Sequence, residues 1–221
     1  MSDKYVIDKI YLFEIEDDES EIIHNSLVKL DRLACGLNYL SWIVDIYQQK
    51  LVEIEPLKNV RFSMGDLPSM HNVPGIPLGL VECAFHWYAV TICNYVKLVG
   101  WLASLDSVGK AGRGKFINEY INEVVPTVKV FRDKIAAHFA LSAEDPRGRD
   151  NPAEKRVSMH PSLSLQNGVV YVTPLVFHTG PSDGKAESES DSLQPWSLTK
   201  VHAELVERYP NLHVIKTVPK G

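Results

Sequence analysis

From Leu78 to Leu105 the chain is apolar around nearly a whole helical circumference, with Phe85, Trp87, Tyr88, Val90, Ile92, Tyr95, Val96, Leu98, Trp101 and Leu102 in one run. Such a segment has two destinations. About 20 apolar residues span a bilayer, and a helix apolar on all sides is also what the centre of a bundle requires. Glu82, His86, Asn94 and Lys97 interrupt this run, and charges at membrane depth are costly. The central helix of a bundle is therefore expected, with no membrane partner.

The flanking sequence supplies the rest of the bundle. Ile23, Leu27, Leu30, Ala34, Leu37, Leu40, Val44 and Tyr47 recur at spacings of three and four, which predicts a long amphipathic helix ending near Leu51. Four prolines and two glycines between 56 and 78 read as an ordered loop. A third helical region is predicted over about 116–141. Pro126 lies inside it, so a kink or two abutting helices should result. Residues 5–15 are apolar and β-branched but too short to separate helix from strand.

After Ser142 the character changes. Ser162–Gln166 and Val169–Val172 flank Asn167-Gly168, a β-hairpin signal because both turn positions tolerate positive φ. Residues 179–195, rich in Ser, Gly, Asp and Glu, read as a mobile loop. A last helix is predicted from about 198 to 208, capped by Ser197 and stopped by Pro210. The expected fold is mainly α. A helical bundle over 1–142 carries a C-terminal extension over 143–221, whose β-hairpin and short helix pack on the same domain.

Charge narrows the partners. A net charge of −5 gives no general attraction to nucleic acid, so such binding needs a local patch. Residues 1–21 hold eight acids against Lys4 and Lys9, whereas residues 108–156 hold ten basic residues against seven acids. Cys35, Cys83 and Cys93 have neither metal-ligand spacing nor a disulfide pattern. Each has apolar sequence neighbours and is read as a small hydrophobe in a reducing cytoplasm. The N-terminus opens into acids rather than a basic n-region, in keeping with that location.

Two motif-like features fail. Gly109 to Lys115 satisfies G-x-x-x-x-G-K, but Phe116 stands where a magnesium-binding Ser or Thr is needed. Lys110, Arg113 and Lys115 there remain candidates for phosphate contact. Glu82 and His86 lie four apart, without the second histidine or paired motif of a zinc or di-iron centre; no metal or other cofactor is expected.

Arg132-Asp133-Lys134-Ile135-Ala136-Ala137-His138 is better placed. On a helix, Val128, Ile135 and Phe139 form an apolar line, with Arg132 and His138 about 60° to either side. Asp133 points outward. Both edge residues can look into a groove, where arginine stabilises phosphate charge and histidine moves protons near neutral pH. Glu82, His86, Cys93 and Lys97 fall within about 60° of one another on the central helix. This polar stripe is a candidate support for the groove, since a nearby carboxylate raises a histidine pKa. Lys134 is a further candidate phosphate contact.

The Arg132–His138 segment resembles the R-x(4–6)-H signature of HEPN domains, α-helical bundles that are often ribonucleases. The resemblance covers residues 20–142. It implies a metal-independent endoribonuclease acting as a homodimer, its two motifs facing each other and its product ending in a 2′,3′-cyclic phosphate. Arg132 would bind phosphate, His138 would act as acid and base, and Asp133 would support them. Family members serve in toxin, defence or RNA-processing systems, some with a neutralising protein partner, and others are non-catalytic binding modules. The spacing alone is weak: Arg208 to His213 also fits it, and Pro210 disqualifies that segment as helix.

Overall fold

The structure, a computed structural model, describes residues 4–7, 10–11, 20–54, 59–62, 75–133, 156–179, 194–210, 212 and 217–218. Two long helices dominate it. α1 (Ser20–Ile54) buries Ile23, Leu30, Ala34, Leu37, Val44 and Tyr47 along one face, the stripe its spacing predicts. α2 (Leu78–Ser107) follows extended Pro77, a residue that cannot donate into a helix before it.

By length and composition α2 is able to cross a bilayer, and 61% of its most apolar window is buried inside the fold. α1, α3 (Arg113–Val124) and α4 (Pro126–Phe131) all pack on it. A helix hydrophobic nearly all round needs such company on several sides. At Gly100 an added Cβ would lie 3.0 Å from the Tyr120 ring, so this glycine permits the close approach of α2 and α3.

α3 (Arg113–Val124) and α4 (Pro126–Phe131) are separated by Val125 at φ −138°, ψ 54°. Proline at the first position of α4 explains the break, because it has no N–H to continue the ladder. The third helical region is thus two abutting helices, beginning three residues earlier than its periodicity suggests. The backbone stays helical at Arg132 (φ −57°, ψ −50°), and residues 134–141 of the expected helix lie outside the described residues.

The C-terminal part folds onto this bundle. β4 (Arg156–Gln166) and β5 (Val169–Thr179) form the hairpin, with Asn167 and Gly168 at φ 52° and 77°, as a two-residue turn requires. β3 (Asn59–Phe62) pairs antiparallel with β4, giving the order β3-β4-β5. The stretch between 56 and 78 is therefore not loop throughout. A second sheet, order β2-β1-β6, joins β1 (Lys4–Ile7), β2 (Ile10–Tyr11) and β6 (Thr217–Val218), which settles the described part of 5–15 as strand.

α5 (Leu198–Arg208) starts where Ser197 Oγ accepts the Lys200 N–H at 3.4 Å. Just before it, Trp196 and Val172 exchange backbone hydrogen bonds of 2.9 and 3.0 Å, and the Val170 N–H donates to Gln48 Oε1 at 2.8 Å. Both contacts cover the outer edge of β5, which would otherwise present unpaired backbone. The Trp196 ring meets Phe85 at 5.0 Å and Phe131 at 5.5 Å, both edge-on. Trp196, Leu163, Val170, Val172 and Leu205 belong to the same buried cluster as the core residues of α1 and α2. The molecule is mainly α: a helical bundle with a C-terminal hairpin and short helix sharing its core.

The cysteines divide by side of helix. Cys93 is buried, whereas Cys35 and Cys83 are exposed, correcting the reading of all three as small core hydrophobes. Apolar sequence neighbours do not fix which face of a helix a residue occupies.

Candidate functional site

Arg132 sits where α4 ends against α2. Its side chain is 24% exposed, the half-buried edge position that rotation along the helix predicts. Asp133 is more exposed and turns back to Arg132: the Nε–H donates to Asp133 Oδ1 at 2.7 Å, and an Nη–H reaches the same oxygen. A guanidinium held at two N–H groups has its plane fixed and keeps donors for another anion.

The stripe on α2 faces this end of α4, although it is not a uniform polar row. The His86 ring lies 5.4 Å from that of Phe131, the residue preceding Arg132. Its Nδ1–H donates to the Glu82 carbonyl at 2.8 Å, which fixes the tautomer with the remaining lone pair on Nε2. Burial holds the His86 pKa below its ordinary value, and the bond to Glu82 only partly opposes this. His86 is accordingly neutral at physiological pH.

About two turns further along, Cys93 is fully buried. Burial pushes its thiol up to about 11; Arg132 and Lys129 pull it down and Asp133 pushes it up. These opposing influences place three charges of the α4 end around one point of α2. The thiol itself is inert, because thiolate chemistry needs a lowered pKa. Glu82 is half-buried, and burial raises its carboxyl above the usual carboxylate range. Lys97 is exposed on the outer side, and so is Asn94, which therefore does not lie between helices.

The remaining candidates are elsewhere. Lys110 lies in the turn between α2 and α3, and Arg113 and Lys115 in the first turn of α3. From Lys115 to the end of α3 at Val124 the helix rises about 14 Å, which sets this basic loop apart from Arg132 at the far end of α4. Lys115 is 83% exposed and 3.7 Å from Glu119, a weak pair. His138 and Lys134 lie outside the described residues.

A cleft of about 480 Å3 opens between the α3–α4 junction and α5. Pro126, Val128, Val201 and Leu205 line it together with Glu123, Glu204, Glu207 and Arg208. Arg208 is engaged with Glu123 at 3.3 Å and lies over the Tyr120 ring. Three carboxylates disfavour phosphate in this cleft. No group of three or more metal-ligating side chains occurs among the described residues.

Comparison with protein-family models, curated proteins and solved structures finds no match to this chain. Its chemistry rests on its own residues.

Proposed function

We propose that this protein is a metal-independent endoribonuclease of HEPN-like organisation that works as a homodimer. The observation that carries the reading is Arg132: a half-buried guanidinium at the end of α4, oriented by Asp133, next in sequence to Phe131, whose ring meets His86 of α2. It stands at the first position of the Arg132–His138 motif.

In the proposed reaction His138 removes the ribose 2′-hydroxyl proton, and the 2′-oxygen forms a bond to phosphorus. The P–O5′ bond breaks, and the departing 5′-oxygen takes a proton from His138 of the partner subunit. Arg132 stabilises the charge that builds on the non-bridging oxygens. Two copies resolve the difficulty that one neutral histidine cannot serve as base and acid in the same step. The products are a 2′,3′-cyclic phosphate and a free 5′-hydroxyl.

RNA incubated with the purified protein in excess chelator should yield fragments ending in cyclic phosphate. Arg132→Ala and His138→Ala should each abolish them. Intact RNA after incubation with folded wild-type protein would sink the proposal. A second reading, a HEPN-like binding module without catalysis, is favoured by the Arg132–Asp133 ion pair, since the guanidinium charge is already matched by a carboxylate within the chain. RNA retained by the protein but never cut would select it.

A further inference from the structure

The outer face of α2 carries a feature that the proposed cleavage chemistry does not use. Leu80, Cys83, Trp87, Val90, Asn94 and Lys97 recur at spacings of three and four and are all exposed. They form one straight line along the helix. Trp87 is 69% exposed, more than any other large hydrophobic side chain among the described residues. Its neighbour in sequence, His86, touches Phe131 of α4, so the line runs immediately beside the end of α4.

Charge decides what such a line suits. Lys97 continues it, and Arg132 and Lys129 of the α4 end both act on Cys93, which lies one residue before Asn94; the Lys129 ammonium donates to the neutral Asn122 Oδ1 of α3 at 2.9 Å and keeps its charge. Asp133 offsets one of these three cations and leaves a basic margin. Glu82, the other acid on this side, is half-buried. An exposed aromatic ring beside a basic margin is the arrangement that binds single-stranded nucleic acid, with bases stacked on the ring and phosphates tracked by the cations.

We infer that the Trp87–Lys97 line of α2 is the track on which a single RNA strand lies, with Trp87 stacking a base and Lys97 and Lys129 meeting phosphates. The inference rests on the proposed RNA reading and deepens it by naming the substrate class as single-stranded. From Trp87 to Lys97 the helix rises about 15 Å, room for a short unpaired segment that delivers its phosphate towards Arg132.

The test is binding of a fluorescent single-stranded oligoribonucleotide to full-length protein in excess chelator, followed by anisotropy, with the same RNA as a duplex for comparison. Trp87→Ala should weaken single-strand binding about tenfold, the usual loss of one stacking partner. Trp87→Phe should retain most of it. Lys97→Ala should flatten the salt dependence by roughly 0.7 in log–log slope. Thermal melting of each variant confirms that the fold is kept.

Unchanged binding by Trp87→Ala, with cleavage still dependent on Arg132, would overturn the track and leave the nuclease standing. Wild-type protein that neither binds nor cuts RNA would overturn both. Sedimentation showing that Trp87→Ala turns a dimer into monomers would also overturn the track, assigning the face to a second copy of the chain.

Discussion

α2 has two sides that solve opposite problems. Towards α1 and α5 its polar groups are enclosed and tied: the Tyr88 hydroxyl donates to His202 Nδ1 at 3.1 Å, and His202 Nε2–H donates to Asn38 Oδ1 at 2.8 Å. One imidazole thereby joins α2, α5 and α1, and its tautomer follows from the amide oxygen it faces. Nearby, the Tyr120 and Tyr209 hydroxyls meet at 2.7 Å. Towards α4 the same helix shows exposed Trp87 and an outward Lys97, with half-buried Arg132 at the end of α4 nearby. Polar groups on the first side hold the fold together; on the second they face a ligand-accessible surface. The proposed chemistry lies on the side where stability does not depend on it.

That contrast can be broken by substitution. The largest loss should come from Trp196→Ala, which removes the ring shared by α2, α4 and the β5 edge; about 3–5 kcal/mol is expected from urea denaturation. Next, His202→Ala should cost about 1–3 kcal/mol by the same measurement, because it leaves the buried Tyr88 hydroxyl without its acceptor. If His202→Ala proved as mild as an exposed substitution, the enclosed side would not be the stabilising one.

Two smaller effects sharpen the comparison from the other direction. Tyr47 is buried, its pKa pushed up to about 12 by burial and then by Glu82. Its hydroxyl has no hydrogen-bond partner among the described residues. Tyr47→Phe should therefore stabilise the protein, by on the order of 1 kcal/mol, read as a higher melting temperature. The smallest effect should be that of Glu82→Gln. The folded Glu82 carboxyl holds its proton above the ordinary range near 4.3. The stability it contributes is therefore complete at acid pH and is lost as pH rises through the folded value. The glutamine variant should melt higher than wild type at pH 7 and lose that advantage at pH 4.

Local patterns in the sequence carried the helices well. The period of α1, the break at Pro126, the Asn167-Gly168 turn and the Ser197 cap each depend on residues within a few positions of one another. Pairings between distant segments were not legible in the same way. β3 forms because Asn59–Phe62 meets residues 163–166 of β4, and nothing near Pro56 announces that partner. The alternation Asn59, Val60, Arg61, Phe62 is a period-two signal that points to a strand once prolines are set aside. His202 was missed for a related reason, since both its partners come from other helices.

For the candidate site, rotation along the helix gave the edge position of Arg132 and the side of α2 that faces α4. It did not separate buried Cys93 from exposed Lys97, because both lie near the margin of one face and packing by α4 decides between them. Nor did it single out Trp87, which reads as one more core residue in a helix apolar nearly all round.

The His202 bridge also bears on the order in which the chain assembles. Asn38 and His202 are 164 positions apart, and Tyr88 and His202 114. Closing such long loops precedes any return from the contacts they bring. The pairing of α1 with α2 spans far less chain and does not wait for α5. Helix α5 should thus dock late onto a preformed helical pair, and an unfolding experiment that follows hydrogen exchange should find its amides released before those of α2.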